Sequence, residues 1–232
     1  LTGDPEGAPM KVGVGIADVM CGMYATVGIL AALRHAERTG DGQQIDIALV
    51  DSQVAWLINE GTNYLTSNTL PQRRGNGHPN IVPYDVYETK DGHVILAVGN
   101  DTQFRRFCDF IGLDSLPDAP EYATNPARLE NRDSLNAQLR PAIAQRTTSE
   151  VIAGLEARKV PVGPVQTLDQ VFHSAQIEAH GMKIPMQTDP GAVHLIGNPL
   201  NLSRTPVTYR RPPPTFGADT ESVLQAQNPF ED

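Results

Sequence analysis

The chain has 232 residues, 40% hydrophobic and 19% charged, with a formal net charge of -9. That length permits one large or two modest domains around a full core, and the composition is that of a soluble globular protein. The acidic balance leaves no basic patch to neutralise phosphates, so a nucleic-acid partner is excluded.

Cys21 and Cys108 stand far apart and outside metal-ligand spacing, so neither a disulfide framework nor a metal site is expected. They read as packing residues in a reducing, cytoplasmic compartment, or in a mitochondrial matrix if the source is eukaryotic. No apolar run approaches the roughly 18 residues that cross a membrane, so no membrane partner is expected. The opening Leu1-Thr2-Gly3 has no initiator Met, and Asp4-Pro5-Glu6-Gly7-Ala8-Pro9 reads as a loop between elements, as in a fragment of a longer chain.

Met20, Met23, Tyr24, Val27, Leu30 and Ala31 recur at three- and four-residue spacing. They predict a helix from about Asp18 to Arg38, stopped by the glycines of Thr39-Gly40-Asp41-Gly42. Ile45, Ile47 and Leu49 alternate with Asp46, Ala48 and Val50, which predicts a strand. Asp51 or Ser52 can then cap a second helix carrying Val54, Leu57, Ile58 and Leu65. Helix, strand and helix in succession indicate α/β architecture.

Pro71, Gly75, Gly77, Pro79 and Pro83 forbid a long regular element between Thr66 and Pro83, which becomes a linker or functional loop. Tyr84 to Glu88 and His93 to Val98 flank Lys90-Asp91-Gly92, the pattern of a β-hairpin. Asn100 or Asp101 caps a helix through Phe104, Phe107, Cys108 and Ile111 to Gly112. Helices follow near Pro126 to Gln145 and Thr148 to Arg158, the latter with a Thr147/Glu150 capping box. This is a small α+β domain. Val160 to Val165 breaks the run, and a helix spans about Leu168 to His173. Val193 to Ile196 and Leu200 to Ser203 offer two short strands across Gly197-Asn198-Pro199. Arg210-Arg211-Pro212-Pro213-Pro214 is a stiff connector into a last helix from about Asp219 to Ala226.

Asp18 stands out chemically. Gly13-Val14-Gly15-Ile16-Ala17-Asp18 delivers it to the start of the long helix, at or near the N-cap. A carboxylate there accepts free backbone N–H groups and meets the positive end of the helix dipole, which favours its charged form. Two readings fit: an ordinary capping aspartate, or the positioned carboxylate that anhydride-type covalent catalysis requires. His35, His93, His173, His180 and His194 read as structural or exposed; Asp51 and Glu60 could form a carboxylate cluster with Asp18, though Asp51 fits a helix cap better. Arg73-Arg74 fits a solvated linker pair or a contact to a phosphate or carboxylate.

Several tracts together resemble the family III CoA-transferases, the CaiB/BaiF group that includes formyl-CoA, carnitine and succinate-glutarate CoA-transferases. They are Gly15-Ile16-Ala17-Asp18 with Gly22-Met23, Thr39-Gly40-Asp41-Gly42-Gln43, Val50-Asp51-Ser52-Gln53, and Gly75-Asn76-Gly77-His78-Pro79-Asn80-Ile81-Val82-Pro83-Tyr84. Thr89-Lys90-Asp91-Gly92, Ala97-Val98-Gly99-Asn100-Asp101-Thr102-Gln103-Phe104, Val160-Pro161-Val162-Gly163-Pro164-Val165 and Arg211-Pro212-Pro213-Pro214 before Gly217 continue the series in family order.

The resemblance implies that Asp18 is the nucleophile, and that CoA passes from an acyl-CoA donor to a carboxylic acid acceptor through aspartyl-anhydride and aspartyl-CoA intermediates, with no metal or redox cofactor. It also implies that Gly75, Gly77 and His78 belong to a substrate-binding glycine loop. Residues 1–66 then form the C-terminal part of a Rossmann-like large domain, 67–83 the linker and loop, 84–190 the small α+β domain, and 191–232 the return segment, within an interlocked homodimer. The tract around Ile81-Val82-Pro83-Tyr84 looks closest to the succinate-glutarate group and implies a dicarboxylate. Two rivals remain. Racemases of α-methylacyl-CoA share the fold and use the aspartate as a base, but this chain lacks their glutamate in the tract Gly99 to Phe104. The chain is otherwise a structural, dimerising piece without the CoA-binding half.

Overall fold

The computed structural model describes residues 1–188 and 191–225, a mixed α/β arrangement of helices and small sheets. The chain divides into two compact units, Leu1–Val165 and Gln166–Asp232.

The first unit opens with α1, Ile16–Thr39, between Gly15 at its N-cap and Gly40, left-handed with φ 85°, at its C-cap. From Ile16 to Leu33 the single charged residue is Asp18. The helix is therefore long and apolar enough, by length and composition, to cross a membrane, with mean hydropathy 1.8 over 18 residues. This corrects the expectation that no apolar run approaches that length: glycine, alanine and threonine are interleaved with the large apolar residues and disguise the run. No residue of α1 is buried. A helix apolar on every side is built to be covered on every side, and this chain leaves most of that surface open.

The strand expected at Ile45 to Leu49 does not form. A strand needs a ladder partner, and none of the described residues supplies one. Ile45 lies instead beside Gly28 of α1, where an added Cβ would meet its Cγ2 at 3.5 Å. The second helix is two: α2, Leu49–Ala55, capped by Ala48 rather than Asp51 or Ser52, and α3, Ile58–Ser67. Ile58 separates them with φ 48°, a left-handed conformation rare for a β-branched residue. Ser52 is buried and donates to the Ala48 carbonyl at 2.9 Å.

The body of the unit runs from Val82 to Val162. Strands β1, Tyr84–Glu88, and β2, His93–Ala97, pair antiparallel with Tyr87 opposite Val94. The stretch read as a break contributes β3, Val162–Pro164, to the other edge of β2. Helix α4, Asp101–Ile111, starts at Asn100, whose side chain accepts from the Gln103 N–H, and ends at Gly112. The helical stretch near 126–145 is split into α5, Asn125–Glu130, and α6, Arg132–Ala144. Helix α7, Thr148–Glu156, carries the expected capping box. Tyr87, Leu96, Phe104, Phe107, Leu135, Leu139, Ile143 and Leu155 close one core between sheet and helices. Burial there pushes the Cys108 thiol up to about 12, so it is an inert packing group.

The second unit holds α8, Leu168–Phe172, and α9, Ala175–Ala179, then a hairpin of β4, Lys183–Thr188, and β5, Gly191–Ile196. The expected strand at Val193 to Ile196 is present, but its partner precedes it, and Leu200 to Ser203 form no strand. Ile184 faces Leu195 and Met186 faces Val193 across the ladder, an apolar pairing that Leu200 to Ser203 would have to displace. Helix α10, Thr220–Gln225, is the last element; the Ala226 end assigned to it lies outside the described residues.

Candidate active site

Asp18 is in the first turn of α1, three residues after its N-cap, not at the cap itself. Its carboxylate accepts no hydrogen bond from the described residues, contrary to the expectation for a capping side chain. It folds back over Gly15 instead: a Cβ on Gly15 would lie 2.8 Å from Asp18 Oδ2. Any other residue at 15 would displace the carboxylate. The N–H groups of Ala17 and Asp18 likewise have no acceptor among the described residues. An exposed carboxylate without hydrogen-bond partners, beside two unspent donors at the positive end of a 24-residue helix, is chemically available.

Asp18 lines a cleft of about 590 Å³. Met10, Val14, Ile16, Trp56 and Leu57 make its walls mainly apolar, Gln53 adds a polar group, and Lys11 brings a cation to its rim. The segment that supplies Thr2 and Met10 closes on itself, the Met10 N–H donating to the Thr2 carbonyl at 3.0 Å.

Gly75, Gly77 and His78 do not line this cleft. They connect to it through the N-terminal segment. The Gly75 N–H donates to the Gly3 carbonyl at 3.1 Å, and Arg73 donates to the carbonyls of Asp4 and Gly7 at 3.2 and 2.6 Å. Gly77 sits against Arg132, where a Cβ would meet Nη1 at 3.4 Å and the Arg74 carbonyl at 3.2 Å. His78 is half-buried, stacks on Tyr84 with ring centroids 4.9 Å apart, and accepts the Asn80 N–H through Nδ1 at 3.1 Å. Burial, followed by the nearby Arg132 charge, holds the imidazole below its ordinary range, while Glu60 pulls the other way. Arg74 pairs with Glu60 at 3.3 Å, which accounts for both residues structurally.

Three residues that anchor this loop were not evident from the sequence. Arg132 donates to the carbonyls of His78 and Pro79 at 2.8 and 3.4 Å. The Asn125 side chain donates to the Asn80 carbonyl at 2.8 Å and accepts the Val82 N–H at 3.1 Å. Arg128, fully buried, donates to the carbonyls of Val82 and Tyr122 and to Asp101 Oδ1 at 2.7, 3.0 and 2.8 Å, with its guanidinium over the Phe104 ring. Asn125, Arg128 and Arg132 recur at three- and four-residue spacing, one polar stripe on a helical stretch, and that periodicity was the available signal. Together they hold the His78 to Val82 backbone to the body.

His35, His93, His173, His180 and His194 are all exposed. Among the described residues no group of three or more His, Cys, Asp and Glu side chains is placed to hold a metal ion.

A family model described as CoA-transferase family III matches residues 1–220. The succinate–glutarate CoA-transferase of Agrobacterium fabrum is 41% identical over 225 residues, covering 97% of this chain and 56% of that protein. The succinyl-CoA:glutarate CoA-transferase of Homo sapiens is 33% identical over 233 residues, covering 100% of this chain and 53% of that protein. Among solved structures, a CaiB/BaiF family protein from Brucella suis matches with a TM-score of 0.78 at 37% identity, over 97% of this chain and 58% of that one. The chain spans about half the length of the curated relatives it matches.

Proposed function

Because the chain belongs to CoA-transferase family III, we propose that the intact protein transfers coenzyme A between an acyl-CoA and a carboxylic acid, with Asp18 as nucleophile. The observation that carries this reading is the Asp18 carboxylate itself: it caps nothing, and it opens onto an apolar-walled cleft.

An Asp18 oxygen attacks the thioester carbonyl, and collapse of the tetrahedral adduct expels CoA thiolate and leaves an aspartyl-acyl anhydride. The free N–H groups of Ala17 and Asp18 are placed at the helix end to favour the oxyanion. Thiolate then attacks the Asp18 carbonyl, releasing the donor acid and forming an aspartyl-CoA thioester. The acceptor carboxylate attacks that thioester carbonyl and expels thiolate again, and thiolate takes the new acyl group from the anhydride. Asp18 returns as a carboxylate. Every bond formed is matched by one broken, and no redox or metal step enters.

A dicarboxylate acceptor or donor is the substrate class favoured by the names of the two relatives. We assign Gly75, Gly77 and His78 to the substrate side of the site: Gly75 has φ 59°, a Cβ at Gly77 would lie a tight 3.2 Å from the Arg74 carbonyl, and His78 is half-buried. In this reading residues 1–66 and 191–232 belong to a Rossmann-like large domain and 84–190 to the small one, joined by 67–83 in a homodimer. Two free cysteines suit a reducing, cytoplasmic setting. Because the chain spans only half of its relatives, CoA binding and turnover are expected of the intact protein, and the 232 residues alone serve as the piece that carries the nucleophile.

The racemase alternative pairs the aspartate with a histidine that would lie upstream of Leu1, and it carries a glutamate in the tract that is Gly99 to Phe104 here, where this chain has none. There the polar side chains are committed elsewhere: Asn100 caps α4, Asp101 meets Arg128, and Gln103 accepts the Gly99 N–H at 2.7 Å. The test is an assay of the intact protein with succinyl-CoA and glutarate in deuterated water. Glutaryl-CoA formation that disappears with Asp18→Ala is expected. Deuterium entering the α-position of a 2-methylacyl-CoA, without transfer, would replace this reading with the racemase one.

A further inference from the structure

The cleft beside Asp18 contains a residue whose placement the reaction alone does not explain. Helix α2 ends at Ala55, and the chain continues through Trp56 and Leu57, whose N–H groups still donate to the carbonyls of Gln53 and Val54 at 3.1 and 3.0 Å. Ile58, the first residue of α3, is left-handed with φ 48°. Such a conformation is costly for a β-branched side chain and persists where the surroundings require it. Its result is that Trp56 and Leu57 sit at a break between two helices, on the wall of the Asp18 cleft. Glu60, one turn further along, is directed to Arg74.

Trp56 is the only tryptophan of the 232 residues and is 48% exposed. A large aromatic on the wall of a cleft is a surface for an apolar or flat ligand group. The occupant is set by its neighbour. An acyl group attached to Asp18 must lie in the same cleft, and the anhydride bond that holds it is destroyed by water.

We infer that Trp56 is the water-excluding wall of the site, packing over the acyl group while it is bonded to Asp18 and setting the ratio of CoA transfer to hydrolysis. The inference rests on Asp18 being the nucleophile. In the side reaction water attacks the acyl carbonyl of the anhydride, the bond to the Asp18 oxygen breaks, the free acid leaves, and a proton from water goes to the CoA thiolate. The net change is acyl-CoA plus water to acid plus CoA. A wall that covers the acyl carbonyl suppresses this without touching the transfer chemistry, and the strained turn at Ile58 is what keeps the indole there.

The test uses the intact protein with succinyl-CoA and glutarate, and measures free CoA released per glutaryl-CoA formed. Trp56→Ala should raise that ratio about tenfold, while hydroxylamine still traps an adduct on Asp18; Trp56→Phe should keep it near the native value. A native ratio in Trp56→Ala, with the Asp18 adduct present, overturns the inference. Absence of the adduct in the native protein overturns the nucleophile reading beneath it. Should Trp56→Ala fail to fold, the difference in tryptophan emission between native protein and Trp56→Phe decides. A blue shift of that difference on adding succinyl-CoA is expected, and an unchanged difference at saturation contradicts it.

Discussion

From Val82 to Val160 the chain buries Tyr87, Phe104, Phe107, Leu135 and Leu139 completely, whereas from Leu1 to Ser67 it leaves Met23, Val27, Leu30 and Ile58 more than half exposed. In the latter stretch only Gly3 and Ser52 are buried. The same solvent acts on both, so the difference lies in what each stretch can pack against. The 82–162 body supplies its own sheet, its own covering helices and its own buried cation. The Asp18-bearing stretch is apolar enough to be an interior but has mainly α1 against α2 to build one, so its folded environment depends on contacts this chain does not itself supply. Stability and chemistry are thereby separated along the sequence.

The largest effect that would break this comparison is expected in the body. Phe107→Ala removes a fully buried ring and should cost about 3–5 kcal/mol, read by chemical denaturation. Arg128→Met should cost about 2–5 kcal/mol, because it strands the Val82 and Tyr122 carbonyls, while Asp101 is exposed enough to be solvated without its cation.

Gly15→Ala comes next, and acts on activity. Its Cβ would fall 2.8 Å from Asp18 Oδ2, and a displacement of the attacking oxygen by even an ångström can lower the rate about 100-fold. CoA transfer by the intact protein should fall on that scale while thermal stability of the body stays unchanged. A rate near native would mean that the carboxylate's position over Gly15 is incidental.

Leu30→Ala, at a site 63% exposed, should change the stability of the 232-residue chain by no more than about 0.5 kcal/mol. A cost like that of Phe107→Ala would erase the distinction between the two stretches. The smallest effect is a pH dependence at His78. Its folded value lies below the ordinary 6.5, so the folded state binds the proton less readily than the unfolded one. The contribution to stability is present above about pH 6.5 and is lost as pH falls through the lowered folded value. His78→Gln should flatten the stability profile between about pH 5 and 7; an unchanged slope would place the titrating group elsewhere.

Much of the body was legible because its signals are local. The Asp91-Gly92 turn, the Asn100 cap, the spacing of Phe104, Phe107, Cys108 and Ile111, and the Thr147/Glu150 box each fix a neighbour within four residues. What failed depended on distant partners. The Ile45 to Leu49 alternation is a strand pattern without a ladder to join, and Val193 to Ile196 pairs backward with Lys183 to Thr188 rather than forward. Three residues containing Gly163 and Pro164 are too short for alternation to show, yet they complete a sheet. Arg128 is hidden from any composition rule, since arginine is normally exposed and its burial follows from three acceptors scattered across forty-six residues of separation at most. The placement of Asp18 in the first turn of a long helix was legible from its glycine-flanked position. The sequence did not disclose that Gly15 takes the cap and leaves the carboxylate without a hydrogen bond.

The claim that Asp18 forms the covalent intermediate is tested most directly by trapping. The intact protein is incubated with succinyl-CoA and hydroxylamine, digested, and mapped by mass spectrometry. A hydroxamate on Asp18, absent when succinyl-CoA is omitted, is the expected result. Turnover of succinyl-CoA with glutarate at full rate, and no modification at Asp18 under those conditions, would contradict it.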